Sequence, residues 1–303
     1  MMEIFLVSLI LSYTWGLLGI SIGYHRGLSH RSFKLPRLLE YFFVTGGYLV
    51  FEGGPIFWVA SHRLHHRYSD VPGKDPHSPR DGLWHSILGW MSKPVVIIDE
   101  DQYKVICPDL FRDPYYRFLH AGGGGRDGYL CLAINVVFRL AILAIFGPWA
   151  FAGNLLGSIG AFIGPLLVNS ICHLQQFGYR NYDTPELSRN VWFVAMASFG
   201  EGWHNNHHKF PQSARHGLKP LEFDFSWCVL SVLKPLGLVK NIRLPKDPVP
   251  AETGVEVDEV QSEMSPQAVA VSESSPESTG AENKEDDATL TKAVQELSTV
   301  SKR

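Results

Sequence analysis

The chain has 303 residues, of which 45% are hydrophobic, and a formal net charge of −3. Its two parts differ: residues 246–303 carry 5 Lys or Arg against 13 Asp or Glu, whereas residues 1–245 carry 22 against 17 and hold all 8 Trp and all 13 His. This weak positive balance does not predict a nucleic-acid partner. The composition of residues 246–303 predicts a disordered acidic tail.

Cysteine spacing and glycine context exclude several common kinds of site. Cys107, Cys131, Cys172 and Cys228 lie far apart and form no Cys-x-x-Cys pair, so neither a disulfide framework nor a zinc–thiolate site is expected. The four glycines at 122–125 lack the strand–turn–helix context of a phosphate-binding loop. Histidine is left as the residue type that carries the chemistry.

Three apolar segments are long enough to cross a bilayer. They are residues 3–22, 129–147 and 149–172, and each approaches the roughly 20 apolar residues that a spanning helix requires. The first segment has neither the basic start nor the small-residue cleavage site of a signal peptide. We therefore predict an all-α integral membrane protein, with a membrane domain over residues 1–245.

Three histidine clusters lie beside apolar segments. The first is His25 with His30, and the other two repeat the pattern His-x-x-His-His. Histidines at positions i, i+3 and i+4 lie on one face of a helix. The members of the repeated pattern are His62, His65, His66, His204, His207 and His208. Because imidazole is a ligand for iron, copper, nickel and zinc, convergence of these faces predicts a nitrogen-rich metal site.

The number of crossings between the clusters constrains the topology, because clusters that share one site must lie on the same side of the membrane. Two spans separate the second cluster from the third and return the chain to its starting side. The one moderately apolar run between the first two clusters, residues 38–60, contains Glu40 and Glu52. It is interpreted as an interfacial or re-entrant element. Amphipathic runs over residues 83–98 and 223–239 are also predicted to lie on the membrane surface.

Positive charge is concentrated on the histidine side of this topology. The positive-inside rule therefore predicts that the histidine clusters and the C-terminal tail are cytoplasmic and that the N-terminus faces outward. Arg139 lies inside the second span and is expected to face the bundle or to snorkel. The charges on the histidine side are Arg26, Arg31, Lys34, Arg37, Arg63, Arg67, Lys74, Arg80, Lys93, Arg112 and Arg117.

The histidines are too numerous for a single ion. Eight lie in clusters, and His173, at the mouth of the third span, is expected to be a ninth ligand. This number suits two ions with roughly five ligands each and room for a water molecule. The side-chain amide of Asn169 is placed to hold such a metal-bound water.

Acidic residues near the clusters are expected to support the ligands. Asp70, Asp75 and Glu201 are predicted to accept hydrogen bonds from the ring nitrogens that do not face the metal. Their alternative interpretation is solvated loop charge. His120 and His216 lie in loops outside any cluster and are expected to be ordinary surface residues.

The histidine motifs together resemble the membrane fatty acid desaturase family. Residues 23–33 (GYHRGLSHRSF), 62–66 (HRLHH) and 200–211 (GEGWHNNHHKFP) are similar to its three histidine boxes. Residues 169–178 (NSICHLQQFG) resemble the segment that supplies its ninth histidine and water-binding asparagine, and residues 75–77 (DPH) match a further element.

The resemblance extends over about residues 12–240. The sequences of the motifs are most similar to those of bacterial and cyanobacterial Δ9 acyl-lipid desaturases. It implies a membrane bundle of four helices, three of them in this sequence, with a cytoplasmic cap, a di-iron centre and a kinked tunnel for the acyl chain. It also implies that O2 and two electrons remove two hydrogens from neighbouring methylenes and leave a cis double bond. The implied partners are a fatty acyl substrate, as acyl-lipid or acyl-CoA, and the lipid bilayer of a bacterial inner membrane or its equivalent.

No cytochrome b5 motif, His-Pro-Gly-Gly, occurs in the sequence, so an external electron donor of the ferredoxin or cytochrome b5 type is expected. Two alternatives remain at the level of the sequence. A membrane hydroxylase or ketolase would use the same metal centre but would form an alcohol or a ketone in place of a double bond. A metal transporter is the alternative from another class of protein, although its ligands should lie near the bilayer midplane.

Overall fold

The computed structural model describes residues 1–246. The predicted acidic tail therefore lies outside the described residues, apart from Lys246. The described part is helical, and its only extended pairings are isolated bridges such as Lys34 with Lys240. Its α-helices are α1 (Met2–Leu18), α2 (Arg37–Tyr48), α3 (Pro55–Tyr68), α4 (Trp90–Ser92), α5 (Glu100–Ile106), α6 (Pro114–His120), α7 (Arg126–Phe146), α8 (Pro148–Ile171), α9 (Trp192–Ala197), α10 (His204–Lys209) and α11 (Phe225–Leu233).

Three helices are long and apolar enough to cross a membrane, as predicted. They cover Met2–Ser29, Arg126–Phe146 and Pro148–Ile171. The first of them consists of α1 and a π-helical continuation, Gly19–Ser29, which carries His25. A π-helical turn inside a helix is uncommon and is frequent at functional sites. The all-α membrane architecture expected from the sequence is confirmed.

Glycines allow α8 to pack directly on the backbone of α1. A Cβ atom on Gly153 would lie 2.2 Å from the carbonyl oxygen of Phe5, and one on Gly157 would lie 2.3 Å from that of Leu9. Small residues bring membrane helices close enough for van der Waals contact along the backbone. This packing fixes the helix that delivers the first histidine cluster.

The segment between the first two clusters turns back on itself. Within residues 38–60, α2 ends, the backbone passes through positive φ angles at Phe51 (+70°) and Gly53 (+81°), and α3 then begins. Tyr24 donates a hydrogen bond to the carbonyl oxygen of Gly53 (2.8 Å). The turn is therefore anchored to the first membrane helix.

Arg139 supports the same turn from the second membrane helix. Its guanidinium donates to the carbonyl oxygen of Leu49 (3.0 Å), and Asn135 donates to that of Tyr48 (3.0 Å). A cation at a helix C-terminus satisfies free carbonyl groups and interacts favourably with the helix dipole. Arg139 is only 5% exposed, so the expectation that it faces the bundle is confirmed.

Short helices and loops cover the histidine end of the membrane helices. The amphipathic segment predicted over residues 83–98 contains a π-helical turn, His85–Gly89, which is followed by α4. The run predicted over residues 223–239 contains α11, which packs on the first membrane helix and on α2 in one buried cluster. That cluster consists of Ile22, Phe33, Phe43, Ala214, Leu230 and Val239.

Candidate metal centre

The structure gathers the nine histidines singled out in the sequence into two groups. Within each group, one ring nitrogen of every histidine lies within 4.8 Å of those of the others. The first group contains His25, His30, His62, His66 and His207. The second group contains His65, His173, His204 and His208.

The repeated His-x-x-His-His pattern explains how each helix serves both groups. On α3, His62 and His66 are one turn apart and belong to the first group, whereas His65 turns to the second. On α10 the pair one turn apart, His204 and His208, belongs to the second group. On the shared helix face, residue i+4 is offset from residue i by about 40° around the axis and residue i+3 by about 60° in the opposite direction. The three histidines of one helix can therefore divide between two adjacent sites.

The two groups adjoin. The rings of His66 and His208 stack with centroids 4.5 Å apart, and those of His204 and His207 are 5.8 Å apart. A two-ion centre needs this kind of proximity between its ligand sets.

Carboxylates hold the outward-facing nitrogens of three ligand candidates. Glu201 contacts Nδ1 of His25, Asp75 lies 3.0 Å from Nδ1 of His65 and Asp70 lies 2.8 Å from Nδ1 of His173. All three carboxylates are buried. The structure thus places Asp70, Asp75 and Glu201 where they orient imidazole rings.

This arrangement leaves ring lone pairs facing one another. A carboxylate accepts a hydrogen from Nδ1, so Nε2 of the same neutral ring carries a lone pair. Nε2 of His25 lies 3.0 Å from Nε2 of His207, and Nε2 of His65 lies 3.3 Å from Nε2 of His208. Facing nitrogen lone pairs attract a cation placed between them, so the residues fit a metal.

Burial keeps most of these imidazoles in the neutral form that binds metals. Burial, followed by the neighbouring histidines, lowers the pKa of His62 and of His204 well below the ordinary value. At His65, burial also lowers the pKa, but the Asp75 carboxylate outweighs it and the net shift is upward. A neutral ring with its donor fixed by a carboxylate is the ligand form that such centres use.

Beyond the carboxylates lies a buried arginine. Arg26 donates to Glu201 (2.9 Å) and to Asp224 (2.9 Å), and it is fully buried. The guanidinium is a rigid fork, so it holds two carboxylates in fixed positions. The spacing of the histidine boxes gave no signal for Arg26, because its partners are about 175 or more residues away along the chain.

A small cavity lies against the first histidine group. Its volume is about 20 Å³ and its lining includes Glu52, Trp58, His62, His77 and Asn169. This space is enough for one water molecule. Asn169 thus stands at a water-sized space beside a ligand candidate.

Two predictions about lone histidines were wrong. His120 and His216 were expected at the surface, but each is only 1% exposed. His120 packs on Tyr103 and hydrogen bonds to Glu100 (2.9 Å). His216 lies against the first histidine group, with its ring 4.5 Å from that of His207. Neither sits in a spacing pattern, so only tertiary contacts determine its burial.

Comparison with known proteins agrees with this geometry. The fatty acid desaturase family model matches residues 4–222. The acyl-CoA 5-desaturase of Anemone leveillei is 40% identical over 80% of this chain and 73% of its own length. Delta-9 acyl-lipid desaturase 1 of Arabidopsis thaliana is 40% identical over 78% of this chain and 74% of its own. The sn-1 stearoyl-lipid 9-desaturase of Anabaena variabilis is 40% identical over 78% of this chain and 83% of its own.

These similarities remove the metal-transporter alternative, because the relatives are desaturases. The chain is a multi-pass membrane oxidoreductase, and it belongs to the fatty acid desaturase family.

Proposed function

We propose that the enzyme introduces a cis double bond at the Δ9 position of a long-chain acyl group, as acyl-lipid or acyl-CoA. The arrangement that carries the proposal is the pair of adjoining imidazole groups with their carboxylate partners. Two iron ions, when bound there, supply the activation of O2 and the removal of two hydrogens from neighbouring methylenes.

The Δ9 position is supported by two of the relatives and by the amino-acid sequence of the motifs. The Arabidopsis and Anabaena relatives are named as 9-desaturases. The Anemone relative is named as a 5-desaturase at the same identity, so similarity alone does not select the position. Residues 200–211 (GEGWHNNHHKFP) and the segment that follows them, 213–218 (SARHGL), are most similar to the cyanobacterial type of the family and therefore favour Δ9.

The protein's own residues divide the work as follows. The nine histidines bind the two ions, and Asp70, Asp75 and Glu201 fix the orientation of their rings. Asn169 orients a water molecule in the small cavity beside His62. That cavity is far smaller than the roughly 300 Å³ or more of ordinary ligand sites, so we assign it to water and not to the acyl chain.

The electrons come from a separate protein of the ferredoxin or cytochrome b5 type. The reaction needs two electrons for each O2, and a separate carrier agrees with the lack of a His-Pro-Gly-Gly motif in the sequence. We place the histidine end, the donor and the acyl head group on the cytoplasmic side, because positive charge is concentrated there.

Expression in cells that lack Δ9 monounsaturated lipids tests the proposal. Lipids are converted to methyl esters, and gas chromatography with mass spectrometry locates the new double bond. We expect monounsaturated chains with the bond at carbon 9, and none from His65→Ala. The matched control is His85→Ala, which removes a histidine that lies outside both groups and hydrogen bonds to the carbonyl oxygen of Pro76 (3.1 Å).

The products also distinguish the alternatives. Hydroxylated or keto chains would contradict desaturation and favour the hydroxylase or ketolase. A bond at another carbon would contradict only the position. Unsaturation retained in His65→Ala would contradict the metal-centre assignment.

A further inference from the structure

His216 is a buried imidazole that neither histidine group includes. It lies in the loop between α10 and α11, and its backbone N–H donates to Asp224 (2.7 Å). Its ring contacts two members of the first group, with centroids 4.5 Å from His207 and 5.4 Å from His25. The side chain is completely buried, so this position is part of the wall of the centre.

Both ring nitrogens of His216 are buried without a hydrogen-bond partner. Its Nδ1 lies 3.5 Å from a carboxylate oxygen of Glu201, slightly beyond hydrogen-bond distance. The Glu201 carboxylate can only accept a hydrogen bond. Nδ1 of His216 therefore carries a hydrogen that is directed at Glu201.

His207, whose ring His216 contacts, lacks a partner for its second nitrogen. A ligating histidine almost always donates its second ring nitrogen to a carboxylate, a carbonyl or water. His25, His65 and His173 have such partners, but Nδ1 of His207 is buried with none. Among the imidazoles that contact the His207 ring, His216 is the one that belongs to neither ligand group.

We propose that His216 is a positioning residue for the first histidine group, in which its Nδ1–H is directed at Glu201 and its ring packs against that of His207. Glu201 in turn orients His25. One side chain outside the ligand set thus supports two ligands, on the first membrane helix and on α10. This inference rests on the metal-binding part of the proposed function.

The test compares His216→Leu with His216→Gln in the purified full chain. Leucine fills similar space without polar atoms, whereas glutamine keeps a donor and an acceptor. We expect His216→Leu to bind one of its two irons about 10- to 100-fold more weakly, so that the iron content falls toward one per chain after dialysis against a chelator. His216→Gln should keep two irons.

Spectroscopy and a matched variant separate positioning from folding. Mössbauer spectra of ⁵⁷Fe-loaded protein should show the signal of one iron site lost in His216→Leu and restored in His216→Gln. His120→Leu, which replaces another buried histidine away from the centre, should keep both signals. Size-exclusion elution and retention of the other iron report that His216→Leu has folded.

Each outcome bears on the inference. Equal iron loss in the leucine and glutamine variants would overturn a positioning role and indicate a direct ligand or a packing residue. Two irons with unchanged spectra in His216→Leu would overturn the inference while leaving the proposed function intact. Wild-type protein that binds no iron would overturn both.

Discussion

At the scale of single residues, the carboxylates of the centre orient imidazole rings. Asp70 is the clearest case, because it receives Nδ1–H of His173 (2.8 Å) and the backbone N–H of Leu187 (2.8 Å). Burial tends to raise the pKa of Asp70, but the interaction with His173 and the hydrogen bond from Leu187 lower it overall. The carboxylate therefore stays ionised and fixes the tautomer of a ligand candidate.

We expect Asp70→Asn to weaken iron binding in the second histidine group. Asp70 has a positive φ of +61°, which asparagine tolerates well, so the substitution removes charge with little backbone strain. Loss of such a partner costs about 10- to 100-fold in metal affinity or activity. Iron per chain, measured after dialysis against increasing chelator, checks this expectation.

The control for Asp70→Asn is Asp183→Asn, which changes an exposed carboxylate in a nearby loop. That variant should bind iron like the wild type. If Asp70→Asn also binds like the wild type, the hydrogen bond to His173 does not tune the centre.

The residues found from the sequence share a local signal. His62, His65 and His66 stand at helical spacing on one helix, and the short range of that spacing makes their shared direction visible in the sequence. Arg26 and His216 have no such signal. Arg26 contacts Glu201 and Asp224, which are about 175 or more residues away along the chain. His216 is a single histidine in a loop, so local periodicity points to neither residue.

At the scale of elements, the sequence predicted three spans from length and hydropathy, and the structure has them. It also identified residues 38–60 as different from a span, through the glutamates within it. The turn that interrupts this run is held by Tyr24 and Arg139. Their partners are backbone carbonyl groups, so no pairing of side-chain types in the sequence pointed to them.

Close packing of α8 on α1 leads to a prediction about glycine. We expect Gly153→Ala to destabilise the protein by about 1–3 kcal/mol, because the new methyl group overlaps the carbonyl oxygen of Phe5 and forces the helices apart. Since α1 continues into the turn that carries His25, iron content should fall as well. Thermal unfolding in detergent and iron analysis provide the two measurements.

Gly128→Ala is the matched control. Gly128 lies in α7, and no atom outside its own helix lies within 4 Å of a Cβ built on it. Alanine in a helix interior is favoured over glycine by about 1 kcal/mol, so this variant should be as stable as the wild type or more stable. Equal stability of both variants would show that α1 and α8 do not need this close approach.

At the scale of the whole molecule, the charge distribution predicts which side of the membrane holds the centre. Residues 1–246 carry 23 Lys or Arg against 17 Asp or Glu, and the connection at Gly147 between α7 and α8 carries none. We expect a membrane-impermeant maleimide to label Trp149→Cys in intact cells, and to label Lys209→Cys only after the membrane is opened.

Both labelling variants are made with Cys228→Ser, because Cys228 is exposed whereas Cys107, Cys131 and Cys172 are buried. The Cys228→Ser chain without a new cysteine measures the background. Labelling of Lys209→Cys in intact cells would place the histidine groups on the outer side and exclude a cytoplasmic electron donor.

A basic groove next to the third histidine cluster suits an acidic electron donor. The groove has a volume of about 950 Å³ and is lined by Lys209, Arg243 and Lys246 together with Phe210. Lys209 directly follows His208 of the second histidine group, so a carrier docked here lies close to the ligands. Complementary charge speeds the encounter of two proteins and is screened by salt.

We therefore expect Lys209→Glu combined with Arg243→Glu to lower the rate of electron transfer from an acidic ferredoxin or cytochrome b5 about tenfold or more at low salt, and to leave the iron content unchanged. The difference from the wild type should shrink as ionic strength rises, because screening removes the attraction that the substitutions abolish.

Reduction by dithionite, a small donor that needs no docking surface, should proceed at the wild-type rate. Arg117→Glu, an exposed reversal outside the groove, should behave as the wild type with the protein donor. A rate deficit that persists at high salt, or that appears equally with dithionite, would show that the two residues act on the centre itself and that the donor docks elsewhere.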